Sequence, residues 1–89
     1  MTPPTIQYMA TANDTVAWAA HAQLMSVVVG TAAASAVVTL YNGTSTSGET
    51  LGIINAAAVG CHRFDGGRFP LGLFVKLTGG NAKVSVVAA

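Results

Sequence analysis

Residues 71–88 read LGLFVKLTGGNAKVSVVA, and this stretch decides the fold class. Aliphatic residues recur at every second position on both sides of its glycine pair: Leu71, Leu73, Val75 and Leu77, then Ala82, Val84, Val86 and Ala88. A period of two is the side-chain spacing of a β-strand with one buried face. The turn-forming residues Gly79-Gly80-Asn81 separate the two halves. We therefore predict a β-hairpin with one aliphatic face.

Further strands are predicted upstream by the same alternation and by β-branched residues. They cover residues 24–29, 35–41, 51–54 and 61–64, the last ended by Asp65-Gly66-Gly67. Stretches rich in Gly, Ser, Thr and Asn separate them at regular spacing. Six or seven such segments predict an all-β fold. We expect a small antiparallel β-sandwich or barrel of about six to eight short strands.

The N-terminal region is predicted with less detail. Residues 1–8 form an extended arm, because Pro3 and Pro4 disfavour helix, and a single β-domain follows at 9–89. A short first strand fits residues 6–10. Residues 15–22 are rich in alanine, which favours helix, whereas Val16 and Trp18 alternate as in a strand. Helix and strand both stay open there, with extended chain preferred.

Composition excludes several classes of protein. The 89 residues carry 8% charged side chains and 52% hydrophobic ones, against roughly 25% charged in ordinary domains. One ordered domain is expected, because disordered chains are poor in apolar residues. A net charge of +1 offers no basic field for nucleic acid. Residues 24–41 contain Gly30 and many β-branched residues, so no membrane span is expected. No signal peptide is expected either, because residues 1–4 lack a basic segment followed by an apolar one. The single Cys61 excludes an internal disulfide.

Self-association is expected from size and charge together. A domain this small buries only about 60–65% of the surface of its unfolded chain. It has no disulfide, and few charged residues are available to cover its surface. The outward faces of its predicted strands carry large side chains that need cover: Val37, Tyr41, Phe74 and Val87. We therefore predict a homo-oligomer.

No catalytic, metal or cofactor site is predicted. Residues 43–50 have the glycine spacing of a phosphate-binding loop, but Glu49 stands where a lysine is required. Cys61 and His62 are adjacent on a predicted strand and so point to opposite faces, and too few other ligands exist for zinc. The three carboxylates lie in separate predicted loops. The chain is not expected to be an enzyme.

Partner-binding candidates come from aromatic and arginine residues, which are enriched at interface hot spots. The segment 63–69 holds both arginines and two phenylalanines; alternatively, its phenylalanines pack in the core while its arginines stay solvated. Trp18 is either a core anchor or a partner contact. The apolar residues of the arm complete the candidate set: Pro3, Pro4, Ile6, Tyr8, Trp18, Arg63, Arg68 and Phe69.

Four stretches carry a resemblance to a known class of protein. They are VVV at 27–29, VVTLYNGTSTSG at 37–48, GLFV at 72–75 and TGGNAKVSV at 78–86. The strings resemble small virion proteins of tailed bacteriophages, often capsid decoration (cement) proteins, over residues 24–88. The chain departs from them in the alanine-rich 15–22 segment and at 61–63. The shared motifs are strand and turn patterns without catalytic residues.

The resemblance implies a structural function. Such proteins are compact β-folds, commonly trimeric, that sit on the outer capsid surface, bridge neighbouring capsomers and stiffen the shell. The expected partners are further copies of this chain and the major capsid protein. The expected location is the virion, on the outer surface of the capsid. The alternative is a tail, fibre or head-spike component that contacts the host surface.

Overall fold

The computed structural model describes residues 5–19 and 22–89. For residues 65 and 66 it describes the backbone only. Within the described ranges the chain forms β-strands and no helix, so the predicted all-β class is confirmed. The strands are β1 (Thr5–Met9), β2 (Thr15–Trp18), β3 (Ala22–Thr31), β4 (Val37–Asn42), β5 (Glu49–Asn55), β6 (Gly60–Phe69), β7 (Leu73–Thr78) and β8 (Lys83–Ala88).

The strands form two four-stranded antiparallel sheets that pack face to face as a sandwich. Sheet A has the order β1-β8-β3-β6, and sheet B has the order β2-β7-β4-β5. The pairings nest, because β4 pairs with β5, β3 with β6, β2 with β7 and β1 with β8. This nested order is the jelly-roll topology, in which two Greek keys share two sheets. The prediction of a small sandwich is confirmed.

The core lies between the sheets and is built from alternate positions of the strands. In sheet B, Val75 of β7 lies between Val16 of β2 and Leu40 of β4. In sheet A, Val27 of β3 is paired with Val86 of β8. All five side chains are buried. Each stabilises the fold by roughly 1.5–3 kcal/mol through removal from water, so the period-two pattern of the sequence is what holds the two sheets together.

The predicted C-terminal hairpin is wrong, although both of its strands exist. Strand β7 pairs with β2 and β4 in sheet B, whereas β8 pairs with β1 and β3 in sheet A. The 79–82 connection therefore crosses from one sheet to the other. Each strand has one aliphatic face, and that face is buried equally well when the strands lie in opposite sheets. Leu71, predicted on the aliphatic face, is 65% exposed because β7 begins only at Leu73.

The predicted end of β6 at Asp65-Gly66-Gly67 is also wrong, since the strand continues to Phe69. Its register with β3 pairs Arg63 with Ser26 and Gly67 with Leu24. Three residues of β6 therefore stand opposite the single residue Met25, which makes a bulge. A bulge absorbs glycines inside a strand that would otherwise indicate a turn.

The N-terminal predictions are partly resolved. Thr15–Trp18 is strand β2, so the extended alternative is confirmed there, whereas positions 20 and 21 lie outside the described residues. Residues 5–8 of the predicted arm belong to β1, which pairs along its whole length with β8. This part of the arm is an edge strand of the domain.

Candidate interaction surface

Strand register assembles one surface on the outer side of sheet A, which we call face A. One row across the four strands is formed by Ile6, Val87, Ser26 and Arg63, each paired with the next. The neighbouring row is formed by Tyr8, Ser85, Val28 and Cys61. Residues paired across strands point to the same side of the sheet, so these eight side chains share one face.

Face A is apolar and weakly charged. Ile6 is 70% exposed and Tyr8 is 55% exposed, while Val28 and Val87 are half-buried. In the two rows only Arg63 carries a formal charge, and it lies on edge strand β6. Lys83 lies on the same side of the sheet at the start of β8, beyond the row of Ser85. Large exposed apolar residues that share one side of a sheet indicate a surface that binds another protein. Their positions on paired strands make this surface rigid before any partner binds.

The outer side of sheet B has a different character. Tyr41 and Phe74 are paired across β4 and β7, with ring centroids 5.9 Å apart and planes tilted by 55°. Lys76 lies in the neighbouring row on the same face, beside Thr39. The aromatic pair covers the middle of this sheet with its own rings. Lys83 lies in the same way on central strand β8 of sheet A, so the aromatic pair, and not the lysine, distinguishes this face from face A.

The structure brings together four of the predicted partner-binding residues. Ile6, Tyr8 and Arg63 lie on face A, and Arg68 lies at its end, opposite Gln23. Phe69 does not belong to this group. It is 6% exposed and packs in the core, because the strand continues past the glycines and turns this ring inward. Its prediction as a partner contact is corrected to a core residue.

Trp18 also faces inward, and Pro3 and Pro4 lie outside the described residues. The Trp18 ring packs against the core. Its Nε1 donates a hydrogen bond of 2.9 Å to Thr5 Oγ1 in the other sheet. Of the two roles left open for Trp18, the structure supports the core anchor.

Val28 is one of the residues of face A that sequence reasoning missed as a partner contact. Its alternation with Val27 and Val29 was visible, and it placed Val28 on the side of β3 opposite those two residues. The sequence does not show which strands lie beside β3. Only the pairing with β8 and β6 places Val28 beside Ser85 and Cys61, in one row with Tyr8.

The loop with phosphate-loop spacing satisfies its own backbone groups. Gly43 N donates to the Gly72 carbonyl at 2.9 Å, Gly48 N donates to the Ser45 carbonyl at 3.1 Å, and Ser47 N donates to Ser45 Oγ at 3.2 Å. The loop leads into strand β5, whereas a phosphate-binding loop leads into a helix. It is a connection between strands of sheet B.

The remaining polar side chains give no reactive cluster. In the register, Cys61 is paired with Val28 and His62 with Val27, so the two point to opposite sides of sheet A. Asp14 Oδ2 accepts hydrogen bonds from the amides of Ala10 and Thr11 and shapes that turn. Among the side chains that the structure describes, which exclude that of Asp65, no three from His, Cys, Asp or Glu lie close enough to hold a metal ion. Within residues 5–19 and 22–89, no helix is long and apolar enough to cross a membrane.

No protein-family model matches the sequence, and no curated protein matches it. Face A is therefore the feature of the molecule from which a function can be inferred.

Proposed function

We propose that this protein is a bacteriophage capsid decoration protein, which binds the outer surface of the shell as a homo-oligomer and bridges neighbouring capsomers. The observation that carries the proposal is face A, a preformed surface whose two middle rows hold exposed Ile6 and Tyr8 and carry one formal charge, Arg63 on edge strand β6. A rigid apolar surface binds another rigid surface with little ordering cost. That property suits a protein whose only task is to add contacts to an assembled shell.

The size of face A supports binding by several copies together. Four strands about 4.8 Å apart and five residues at about 3.4 Å each give a face of roughly 300 Å². A standard stable interface buries about 800 Å² on each partner. One copy alone is therefore expected to bind weakly, and linked copies bind far more tightly through effective concentration. Occupied sites then stabilise the shell by mass action.

The fold is compatible with this role without assigning it. Jelly rolls occur in viral capsid domains, and also in lectins and cupins, so topology alone does not select a function. The strand and turn strings at 37–48 and 78–86 add the resemblance to small virion proteins. Among the described residues, no side chains cluster as metal ligands and no polar side chain is buried.

The deciding experiment measures how many copies of the chain are present in each intact virus particle. Trypsin releases residues 69–76 and 77–83, and isotope-labelled versions of both peptides quantify the chain against peptides of the major capsid protein. A copy number comparable to that of the major capsid protein is expected. A handful of copies supports the tail, fibre or head-spike alternative, and absence from the particle overturns both.

A further inference from the structure

Strand β1 follows Pro3 and Pro4 in the sequence, but its own five residues carry none of the charges, bulges or prolines that usually protect an edge strand against pairing. Natural edges are blunted by charges, bulges, proline or short length. Edge strand β6 carries Arg63 and Arg68, β5 begins at Glu49 and has a bulge, and β2 has four residues. Strand β1 has five residues, no charge, no glycine and no proline, and its register with β8 is unbroken.

The sequence of β1 is complementary to itself. It reads Thr-Ile-Gln-Tyr-Met, with exposed Ile6 and Tyr8 on either side of Gln7. In an antiparallel pair of two β1 strands centred on Gln7, Ile6 of each copy stands opposite Tyr8 of the other. Pairs of an aromatic and a β-branched residue are among the favourable cross-strand contacts. The same favourable pair therefore forms twice.

We infer that β1 pairs with β1 of a second copy about a two-fold axis, joining the two A sheets into one sheet of eight strands. A two-fold contact requires one patch that is complementary to itself, and β1 meets this requirement. Strand β1 has no charged residue that could select a strand of a different protein as its partner. The inference does not depend on the decoration role.

The pairing has a consequence for face A. Because Ile6 and Tyr8 lie on face A, the two faces become continuous across the new strand pair. The joined face measures roughly 600 Å², which approaches the about 800 Å² of a standard interface. A two-fold contact gives a dimer, whereas the resemblance implies a trimer, so the molar mass in solution separates the two.

Disulfide trapping tests the register. Ile6→Cys and Tyr8→Cys are made separately in a Cys61→Ser background, which removes the only native thiol, and each is oxidised mildly alone and in an equimolar mixture. We expect the disulfide-linked dimer only in the mixture, because position 6 faces position 8. A linked dimer from either variant alone, or none in the mixture, overturns the inference.

Charge exchange tests the dimer without a covalent bond. The variant Ile6→Lys/Tyr8→Lys places two lysines opposite each other twice, and we expect it to be monomeric by light scattering. The variant Ile6→Glu/Tyr8→Lys places opposite charges in each pair, and we expect the dimer to return at low salt. Ile53→Lys, at a site 69% exposed on β5, is the control and stays dimeric. Wild-type protein that is monomeric or trimeric overturns the inference, as does a lysine pair that stays dimeric while folded.

Discussion

Trp18 and Thr5 lie in different sheets and are joined by the hydrogen bond from Trp18 Nε1 to Thr5 Oγ1, which is 2.9 Å long. Thr5 Oγ1 in turn donates to the Ala88 carbonyl at 3.3 Å. Gln7 Nε2 makes a second link between the sheets, to the Ala17 carbonyl at 3.2 Å. These bonds tie edge strand β1 to its neighbour β8 in sheet A and to β2 in sheet B. An edge strand held this way is preformed for pairing with another strand.

The first prediction concerns this link. Trp18→Phe and Thr5→Val each remove one partner of the hydrogen bond, and each is expected to lower the free energy of unfolding by about 1 kcal/mol. The double variant is expected to lose less than the sum of the two, by about 0.5 kcal/mol or more, because both changes remove the same bond. Urea unfolding gives the free energy of unfolding of all four proteins. It is followed by far-UV circular dichroism, because tryptophan fluorescence is lost in the Trp18→Phe variants. Additive losses would show that the bond contributes nothing.

The second prediction separates the two readings of the 63–69 segment. Phe69→Ala removes a core ring and is expected to lower the free energy of unfolding by about 3–5 kcal/mol. Its neighbour Arg68 is exposed, so Arg68→Ala is expected to change the free energy of unfolding by less than about 0.5 kcal/mol. Thermal unfolding compares the two variants, because each kcal/mol of lost stability lowers the Tm of a domain of this size by roughly 4–8 °C. If Phe69→Ala leaves the free energy of unfolding unchanged, the Phe69 ring does not belong to the core.

The fold class was predictable because it depends on side-chain alternation. Leu73, Val75 and Leu77 face the core as their spacing indicates, and so do Val84 and Val86. The pairing of strands was not predictable in the same way. A strand with one apolar face is equally stable in either sheet, so alternation cannot show that β7 and β8 lie in different sheets. Only the long-range nesting of the strands decides it.

The candidate surface was predictable only in part for the same reason. Ile6 and Tyr8 were selected from the arm, and Arg63 from a cluster of arginines and phenylalanines 55 residues further along the chain than Tyr8. Strands β8 and β3 lie between them and bring them onto one face. Phe69 was misassigned because a glycine pair that usually ends a strand is absorbed here by the bulge opposite Met25.

The third prediction concerns the crossing between the sheets. Gly79 has a φ of 84°, and a Cβ atom there would run into the Ser35 carbonyl oxygen. Gly79→Ala is therefore expected to lower the free energy of unfolding by roughly 2–4 kcal/mol, through backbone strain and displacement of the 34–36 turn. Gly60→Ala is the matched control, because a Cβ there meets nothing within 4 Å, and it is expected to be neutral within about 1 kcal/mol. Chemical denaturation gives both values, and equal effects would contradict the close approach.

The last prediction tests face A as the capsid-binding surface. Val28→Lys places a charge at the centre of face A, on β3, whereas Thr39→Lys places the same charge on β4 at the centre of the opposite face. Both positions are half-buried and in central strands, so each variant is expected to fold with a loss below about 2 kcal/mol. Lys76 stands opposite Thr39, so the loss in Thr39→Lys includes a repulsion between two lysines. Binding is measured by co-sedimentation with virus particles stripped of this protein. We expect Val28→Lys to lose binding by at least about tenfold, since burying an unpaired charge costs more than 1.4 kcal/mol, and Thr39→Lys to bind as the wild type does. If both variants bind equally while remaining folded, the capsid contacts a different surface; if Thr39→Lys alone fails, the contact lies on sheet B.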